Sequence, residues 1–311
     1  MKYLIFLLLF AAAIFYGCGQ SDTRIAIAVL TPISHPSLEQ IERGFKQTLE
    51  AQNPGKFRFV TYNAQGNKTL MHSEVEEIAQ RDYALVFTIG TLASQMVKES
   101  FSKKRLQTPI VFTAVNDPVA FHLVTSEAHP GGNVTGVKET VNFQAEIAAL
   151  LKYKPTIKSL LLVYNPAEPG MQKDQEEIDV LLKQLGIELI AVEIFQSNEI
   201  YAKVEPFMVK ADALMILKDN NVVAAEDALI KLCNRHAIPL MASELDSPNR
   251  GAAFGYGVFE IEYGNEAGKK AHTILNDGVA AGTIPVTAVT QFTLKVNGEA
   301  ARKQGIAMEK N

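Results

Sequence analysis

Hydroxyl, amide and carboxylate side chains gather in this chain where apolar runs stop, and those are the positions able to hold a polar molecule. Thr91 and Ser94 lie in Gly90-Thr91-Leu92-Ala93-Ser94, directly after the apolar run Ala84 to Ile89. Such a strand-to-helix turn offers free N–H groups and the positive end of a helix dipole, which suits a carboxylate. Capping the new helix is a competing task for Thr91. Asn116 and Asp117 follow Ile110-Val111-Phe112 and precede Pro118. Asn and Asp bond nearby backbone, and a residue before proline avoids the α region, so a defined turn is expected at that strand's carboxyl end. Asn165 and Glu168 stand in Asn165-Pro166-Ala167-Glu168-Pro169-Gly170, and Asp219 and Asn220 follow the run Ala213 to Leu217. For the three carboxylates, forming turns or capping helices competes with holding a cation.

Signatures of catalysis are absent at the level of short motifs. The chain has no Gly-x-Ser-x-Gly elbow, no paired-His metal motif and no phosphate loop, and Gly255-Tyr256-Gly257 is too short to count. An exported hydrolase whose Ser, His and acid come from distant positions stays open, and a turnover assay would decide it. His35, in Thr31-Pro32-Ile33-Ser34-His35-Pro36, reads as a loop residue, because no His or Cys stands at metal-ligand spacing from it. Cys233 falls on the helical stripe Leu229, Leu232, Cys233, Ala237 and reads as a small buried thiol. No cofactor is expected.

The elements that must position these side chains alternate regularly. Strands are expected at Ile25 to Leu30, Phe57 to Tyr62, Ala84 to Ile89, Ser159 to Tyr164, Glu188 to Ile194, Ala213 to Leu217 and Ala252 to Val258. Helices are expected at Leu70 to Gln80, Gln172 to Gln184, Glu199 to Val209, Val222 to His236 and Glu262 to Leu275. Ser37 with Gln40 forms a capping-box pattern ahead of Leu38, Ile41, Phe45 and Leu49. The stretch 108–137 reads as strand, loop, short helix, turn and strand. The whole is α/β, two Rossmann-like lobes with three crossings between them, near 139–142, 253–258 and 288–293. The expected boundaries put 24–140 with about 256–290 in lobe 1, and about 141–255 with about 291–311 in lobe 2. Strand-end loops from both lobes would face each other across a cleft, since ligands of open α/β sheets sit at the carboxyl edge.

At the N-terminus an apolar run from Tyr3 to Tyr16 ends in Gly17-Cys18-Gly19-Gln20-Ser21. It is too short to span a bilayer comfortably and suits a signal peptide at 1–17. Gly17-Cys18 resembles a lipobox, with Phe15 and Tyr16 departing from the usual residues; Cys18 is the expected lipidation site and 18–23 the tether. Export and anchoring to a membrane follow. Removing Lys2 with the leader moves the formal net charge from −4 to about −5. Nothing basic marks a nucleic-acid partner. With 311 residues and 47% hydrophobic composition there is room for two ordinary cores.

Several ordered stretches together resemble one family: VFTAVNDPV and PGGNVTGV within 108–137, TIGTLASQ at 88–95, LLLVYNPAEPG at 161–170, LKDNNVVAAEDAL at 217–229, and FGYGVFEIEYGNEAGKKA at 254–271. They are similar to the substrate-binding proteins of a family of bacterial ABC importers associated with aromatic amino acids, of the periplasmic binding protein type 1 fold. The resemblance implies a three-crossing hinge, an interlobe ligand cleft, an extracytoplasmic location, and delivery to a permease driven by a separate ATPase. It implies no catalysis. A helix-turn-helix headpiece, which a sugar-responsive regulator of the same core would need, is replaced here by the signal-like segment. An α-amino acid ligand would place its carboxylate at Thr91 and Ser94 and its ammonium at Asp117, Glu168 or Asp219, with Asn116, Asn165 and Asn220 orienting either group. Family members often carry Gly-Ile-Asp-Tyr-Tyr where this chain has Gly257-Val258-Phe259-Glu260-Ile261. Phe259 therefore stands in place of an acid expected to face the ammonium; it would stack on an aromatic ligand or fill core, and a small organic solute without an ammonium is the alternative ligand.

Overall fold

A computed structural model describes residues 22–308. The expected signal peptide, Cys18 and most of the tether lie outside the described residues.

Ile25–Thr31 (β1) buries nearly all its side chains, as a strand covered on both faces must. The chain then turns into Pro36–Gln52 (α1), with Pro36 at the first helical position and His35 at the N-cap, making no side-chain cap bond. Proline at that position gives up no needed N–H and starts the helix two residues earlier than the Ser37/Gln40 pattern implied. The capping box accordingly does not form; both side chains reach the other lobe instead. Phe57–Asn63 (β2) leads to Lys68–Ile78 (α2), capped by the Asn67 side chain, which accepts from Thr69 and Leu70 N–H at 2.9 and 3.0 Å. Leu85–Ile89 (β3), Thr91–Lys104 (α3), Ile110–Val115 (β4) and Val134–Lys138 (β5) follow. The short helix expected after Pro118 is absent. Leu123 and Val124 N–H both donate to the Pro118 carbonyl, at 2.8 and 3.2 Å, and consecutive turns occupy the stretch.

The second cycle runs Phe143–Tyr153 (α4), Ser159–Tyr164 (β6), Met171–Gln184 (α5), Glu188–Glu193 (β7), Ile200–Met208 (α6) and Ala213–Ile216 (β8). The helix expected over Val222 to His236 is two helices, Asn220–Ala224 (α7) and Glu226–His236 (α8), broken at Ala225. Leu240–Ala242 (β9), Ser247–Arg250 (α9), Phe254–Gly257 (β10), Glu260–Asp277 (α10), Thr287–Ala288 (β11), Thr293–Val296 (β12) and Gly298–Lys303 (α11) complete the order.

Two six-stranded sheets result, ordered β11-β5-β4-β3-β1-β2 and β12-β10-β9-β8-β6-β7, all parallel except the β10/β12 pair. Strand β10 belongs to the second sheet while α10 packs on α1 beside the first, so the middle crossing occupies 258–259, at the far end of the stretch expected for it. The other crossings run through 139–142 and 289–292. Helices α1 and α10 approach closely: a Cβ at Gly264 would stand 2.0 Å from the Ile41 carbonyl oxygen, and one at Gly44 would stand 2.4 Å from that of Ile261. Only glycine allows such backbone contact. Apolar clusters line the sheet faces, Phe45 stacking on Phe87 at 3.9 Å in one of them. Among the described residues no helix is long and apolar enough to cross a membrane.

The strand orders decide where a ligand can sit. In the first sheet the chain leaves β1 toward one edge and β3 toward the other, and in the second sheet β6 and β8 do the same. Helices following such a pair depart to opposite faces, which leaves a crevice between the two strand ends. Both crevices open toward each other.

Candidate functional site

A cavity of about 150 Å³ fills that space, a size on the order of one known to admit benzene. Its first-lobe wall comes from the β1 and β3 ends, Pro32, Ile33 and His35 facing Gly90 to Ala93, with Met71 of α2 and Ala114 and Asn116 of the β4 end beside them. The second-lobe wall comes from the β6 and β8 ends, Asn165, Ala167, Glu168 and Pro169 facing Lys218, Asn220 and Asn221. Ile33, Leu38, Met71, Leu92, Met171 and Val223 make much of the lining apolar.

Polar groups converge on this volume from both sides. Helix α3 begins at the wall with no side-chain cap, and Gly90 at its N-cap holds φ 88°. Its first N–H groups are therefore available to an anion. Asn116 is carried by an irregular strand end: Ala114 sits in the left-handed region at φ 54°, and the β4/β5 register shifts between Thr113 and Val115. A non-glycine residue in that region is strained and marks a backbone held in place by its surroundings. The Asn116 Oδ1 is buried and without a partner among the described residues. Opposite, the Glu168 carboxylate accepts from Asn220, from its backbone N–H at 3.1 Å and from its side-chain amide. Burial first, and then the nearby Asp219, hold the Glu168 carboxyl well above its ordinary pKa.

Lys218 governs the back of the cavity next to the crossings. Its Nζ lies 2.7 Å from Glu260, 3.2 Å from Glu139 and 4.9 Å above the Tyr263 ring. Burial pulls its pKa down, but Glu260, Tyr263 and Glu139 outweigh that and leave it above the ordinary lysine value. Glu260 is pushed up to about 7 by burial, with Lys218 opposing. The lobes also touch around the rim. Ser37 Oγ donates to Glu244 at 3.0 Å, Gln40 donates to Asp246, His35 Nε2 meets Asn220 Oδ1 at 3.2 Å, and Lys173 lies 3.6 Å from Asp117. Together these contacts describe a closed arrangement.

Of the residues the sequence singled out, Thr91, Asn116, Asn165, Glu168 and Asn220 line the cavity together. Ser94 does not; its hydroxyl is buried against the Gly90 carbonyl at 2.7 Å and Thr88 at 2.9 Å. Asp117 accepts from Ala120 N–H at 2.9 Å and forms the turn, outside the lining. Asp219 is fully buried behind it, accepting from Asn165, Asn221 and Val222 N–H at 2.6, 3.0 and 3.1 Å. It caps α7 and ties the two second-lobe loops together. Phe259 points to solvent, 53% exposed, at the N-cap of α10. Sequence reasoning missed His35, Ser37, Glu139, Lys218, Glu244 and Glu260 as lining residues. The strand-end loops 31–37, 218–221 and 243–246 were the available signal for His35, Ser37, Lys218 and Glu244; nothing local marked Glu139 and Glu260. Among the described residues no group of three or more His, Cys, Asp or Glu side chains is placed to hold a metal ion.

Comparison with known proteins follows the same lines. A relative described as a tyrosine-binding protein, from Clostridioides difficile (strain R20291), is 26% identical over 298 residues, covering 90% of this chain and 85% of its own. The L-Trp complex of an ABC domain from Streptococcus pneumonia superposes with a TM-score of 0.85 at 22% identity, covering 92% of this chain and 96% of that one. A ligand-free, open substrate-binding protein with adhesive properties from Clostridium difficile, 25% identical with the same coverage, gives 0.66. A family model described as ABC transporter substrate binding protein matches residues 26–311. With that match running through both sheets and both walls of the cavity, the chain belongs to the ABC transporter substrate-binding protein family.

Proposed function

We propose that this protein is the extracytoplasmic receptor of an ABC importer and captures an α-amino acid, with an aromatic side chain as the leading case. The observation that carries the reading is the opposition, across one apolar cavity, of an uncapped helix N-terminus and the buried Glu168 carboxyl. The ligand carboxylate lies against the N–H groups of α3 and Thr91. The ammonium lies against Glu168 and Asn116 Oδ1, so Glu168 supplies the acid that Phe259 does not. The side chain occupies the volume bounded by Ile33, Met71, Leu92 and Met171. A tyrosine-binding relative and an L-Trp-bound structural neighbour support the aromatic case.

In this reading the lobes, 24–140 with the stretch 260–288 and 143–257 with the C-terminal stretch, swing about the three crossings and close on the ligand. Ser37–Glu244 and Gln40–Asp246 form only in the closed state. The protein does no chemistry; it hands the ligand to a permease powered by a separate ATPase, and a lipid on Cys18 keeps it at the membrane. Thermal unfolding against a library of amino acids and small organic acids tests the binding claim. A ligand at 100 times its Kd adds about 2.7 kcal/mol to the folded state. A selective rise in midpoint with tyrosine, tryptophan or phenylalanine is expected. A rise only with solutes lacking an ammonium would reject the amino-acid assignment, and no rise with any solute would reject the receptor reading.

A further inference from the structure

The charged groups that line the cavity are unevenly matched. Carboxyls arrive from both lobes, Glu139 and Glu260 beside the crossings, Glu168 and Glu244 from strand-end loops of the second sheet, while the lining cations are Lys68 and Lys218. Two lysines against four glutamates leave a formal surplus of two negative charges. Among the described residues no arginine lines the cavity. Burial lowers the His35 pKa, so that ring adds no positive charge at neutral pH. Lys218 is committed to carboxylates of its own, 2.7 Å from Glu260 and 3.2 Å from Glu139. Lys68 opens α2 and is exposed, where water and salt screen it.

The two ends assigned to an amino-acid ligand also differ in kind. At the carboxylate end Ser94 N–H is the first to bond back along α3, to the Gly90 carbonyl at 3.2 Å, so Thr91, Leu92 and Ala93 present neutral N–H groups at an uncapped helix start. Such a start carries about half a unit of positive charge, and water completes its N–H groups when no anion is there. At the ammonium end Glu168 already takes the backbone and side-chain N–H of Asn220. Its carboxyl lies above its ordinary pKa through burial and then through Asp219. Donors are in place around it; a counter-charge is not, and a neutral water does not supply one. A ligand without a carboxylate forgoes contacts that water replaces. A ligand without an ammonium adds negative charge to a surplus of it and leaves Glu168 uncompensated.

We infer that the ammonium group is the ligand's principal anchor, so that this receptor also takes primary aromatic amines, the decarboxylated counterparts of aromatic amino acids, and rejects the deaminated acids. The inference rests on the amino-acid reading of the site and widens its ligand class to cations that have no carboxylate.

Titration calorimetry of the wild-type protein compares tyrosine with tyramine and hydroxyphenylpropionate, which share its ring, and tryptophan with tryptamine and indolepropionate. In the set that binds, the amine should lie within about tenfold of the amino acid and displace it, and the deaminated acid should bind at least about a hundredfold more weakly than the amine. Glu168→Gln should weaken amine and amino acid alike, by about thirtyfold or more. Lys68→Gln, at an exposed position, should change neither by more than about threefold. An amine that fails to bind where its amino acid binds overturns the inference and leaves the amino-acid reading intact. Loss of amino-acid binding in Lys68→Gln with the amine unaffected does the same, because a lysine would then be the counter-charge of the carboxylate. A deaminated acid that binds as tightly as the amine also overturns it. If neither amino acids nor amines bind, both readings fall.

Discussion

Replacing Glu168 by Gln removes one negative charge from the cavity while keeping the shape of the side chain, and its two effects have opposite signs. In the unliganded protein the carboxyl is held above its ordinary 4.5 by burial and by Asp219. The unfolded chain therefore releases the proton first, and stability is lost as pH rises from about 4.5 toward the folded value, by about 1.4 kcal/mol for each pH unit in that window. Glu168→Gln abolishes that loss but sets an amide NH2 against one of the two Asn220 donors, so without ligand the variant's midpoint should lose the fall between pH 4 and 8 that wild type shows, whatever its level. Ligand binding goes the other way. Truncating one member of a buried charge pair costs about 2–5 kcal/mol, or about 30-fold to several thousand-fold in Kd. Wild type should also release a proton on binding, because the ammonium draws Glu168 into its charged form. Titration calorimetry with tyrosine or tryptophan in buffers of different ionisation enthalpy reads both quantities, and midpoints against pH read the first. A variant that binds as tightly as wild type refutes the placement of the ammonium at Glu168, and a variant midpoint that falls with pH as steeply as that of wild type refutes the raised carboxyl.

Three further outcomes are expected. Glu146, buried in α4 with Ser243 Oγ donating to it at 3.0 Å, is pushed up to about 8 by burial. Stability therefore falls between pH 4.5 and 8, and Glu146→Gln should gain on the order of 3 kcal/mol at pH 7 and nothing at pH 4.5, as urea unfolding at the two pH values would show. Lys218→Met leaves the buried Glu260 and the part-buried Glu139 without their cation and should cost about 3–5 kcal/mol, part of which the double variant with Glu260→Gln regains; equal denaturation midpoints for wild type and the single variant would contradict the network. Gly264→Ala drives a methyl into the Ile41 carbonyl and should cost about 1–3 kcal/mol by forcing α1 and α10 apart, measurable as a lower melting temperature.

Much of the fold was legible because its signals are local. Apolar runs such as Ile25–Thr31 and Ser159–Tyr164 declare buried parallel strands, and the polar loops after them had to lie at the sheet edges. That reasoning led to the loops holding Thr91, Asn116, Asn165, Glu168 and Asn220. It failed where two local readings had similar strength. Ser37 and Gln40 match a capping box, but Pro36 starts the helix earlier and frees both side chains for partners. The stretch after Pro118 has helix-compatible residues, yet repeated donation to the Pro118 carbonyl keeps it in turns.

What sequence alone determined about this protein is the order of its elements, its fold class, its family resemblance and the loops that line the cavity. Only the tertiary structure decided which residue of each loop faces the cavity. Asp219 and Asn220 are neighbours, but the start of α7 turns the first inward as a cap and the second outward to Glu168. Tertiary structure also decided the partners across the cleft, His35 with Asn220 and Ser37 with Glu244, which lie 185 and 207 positions apart along the chain. Spacing carries information only over a few turns of helix or residues of strand. Contacts between lobes depend on how two separately folded sheets meet, and no local pattern encodes that.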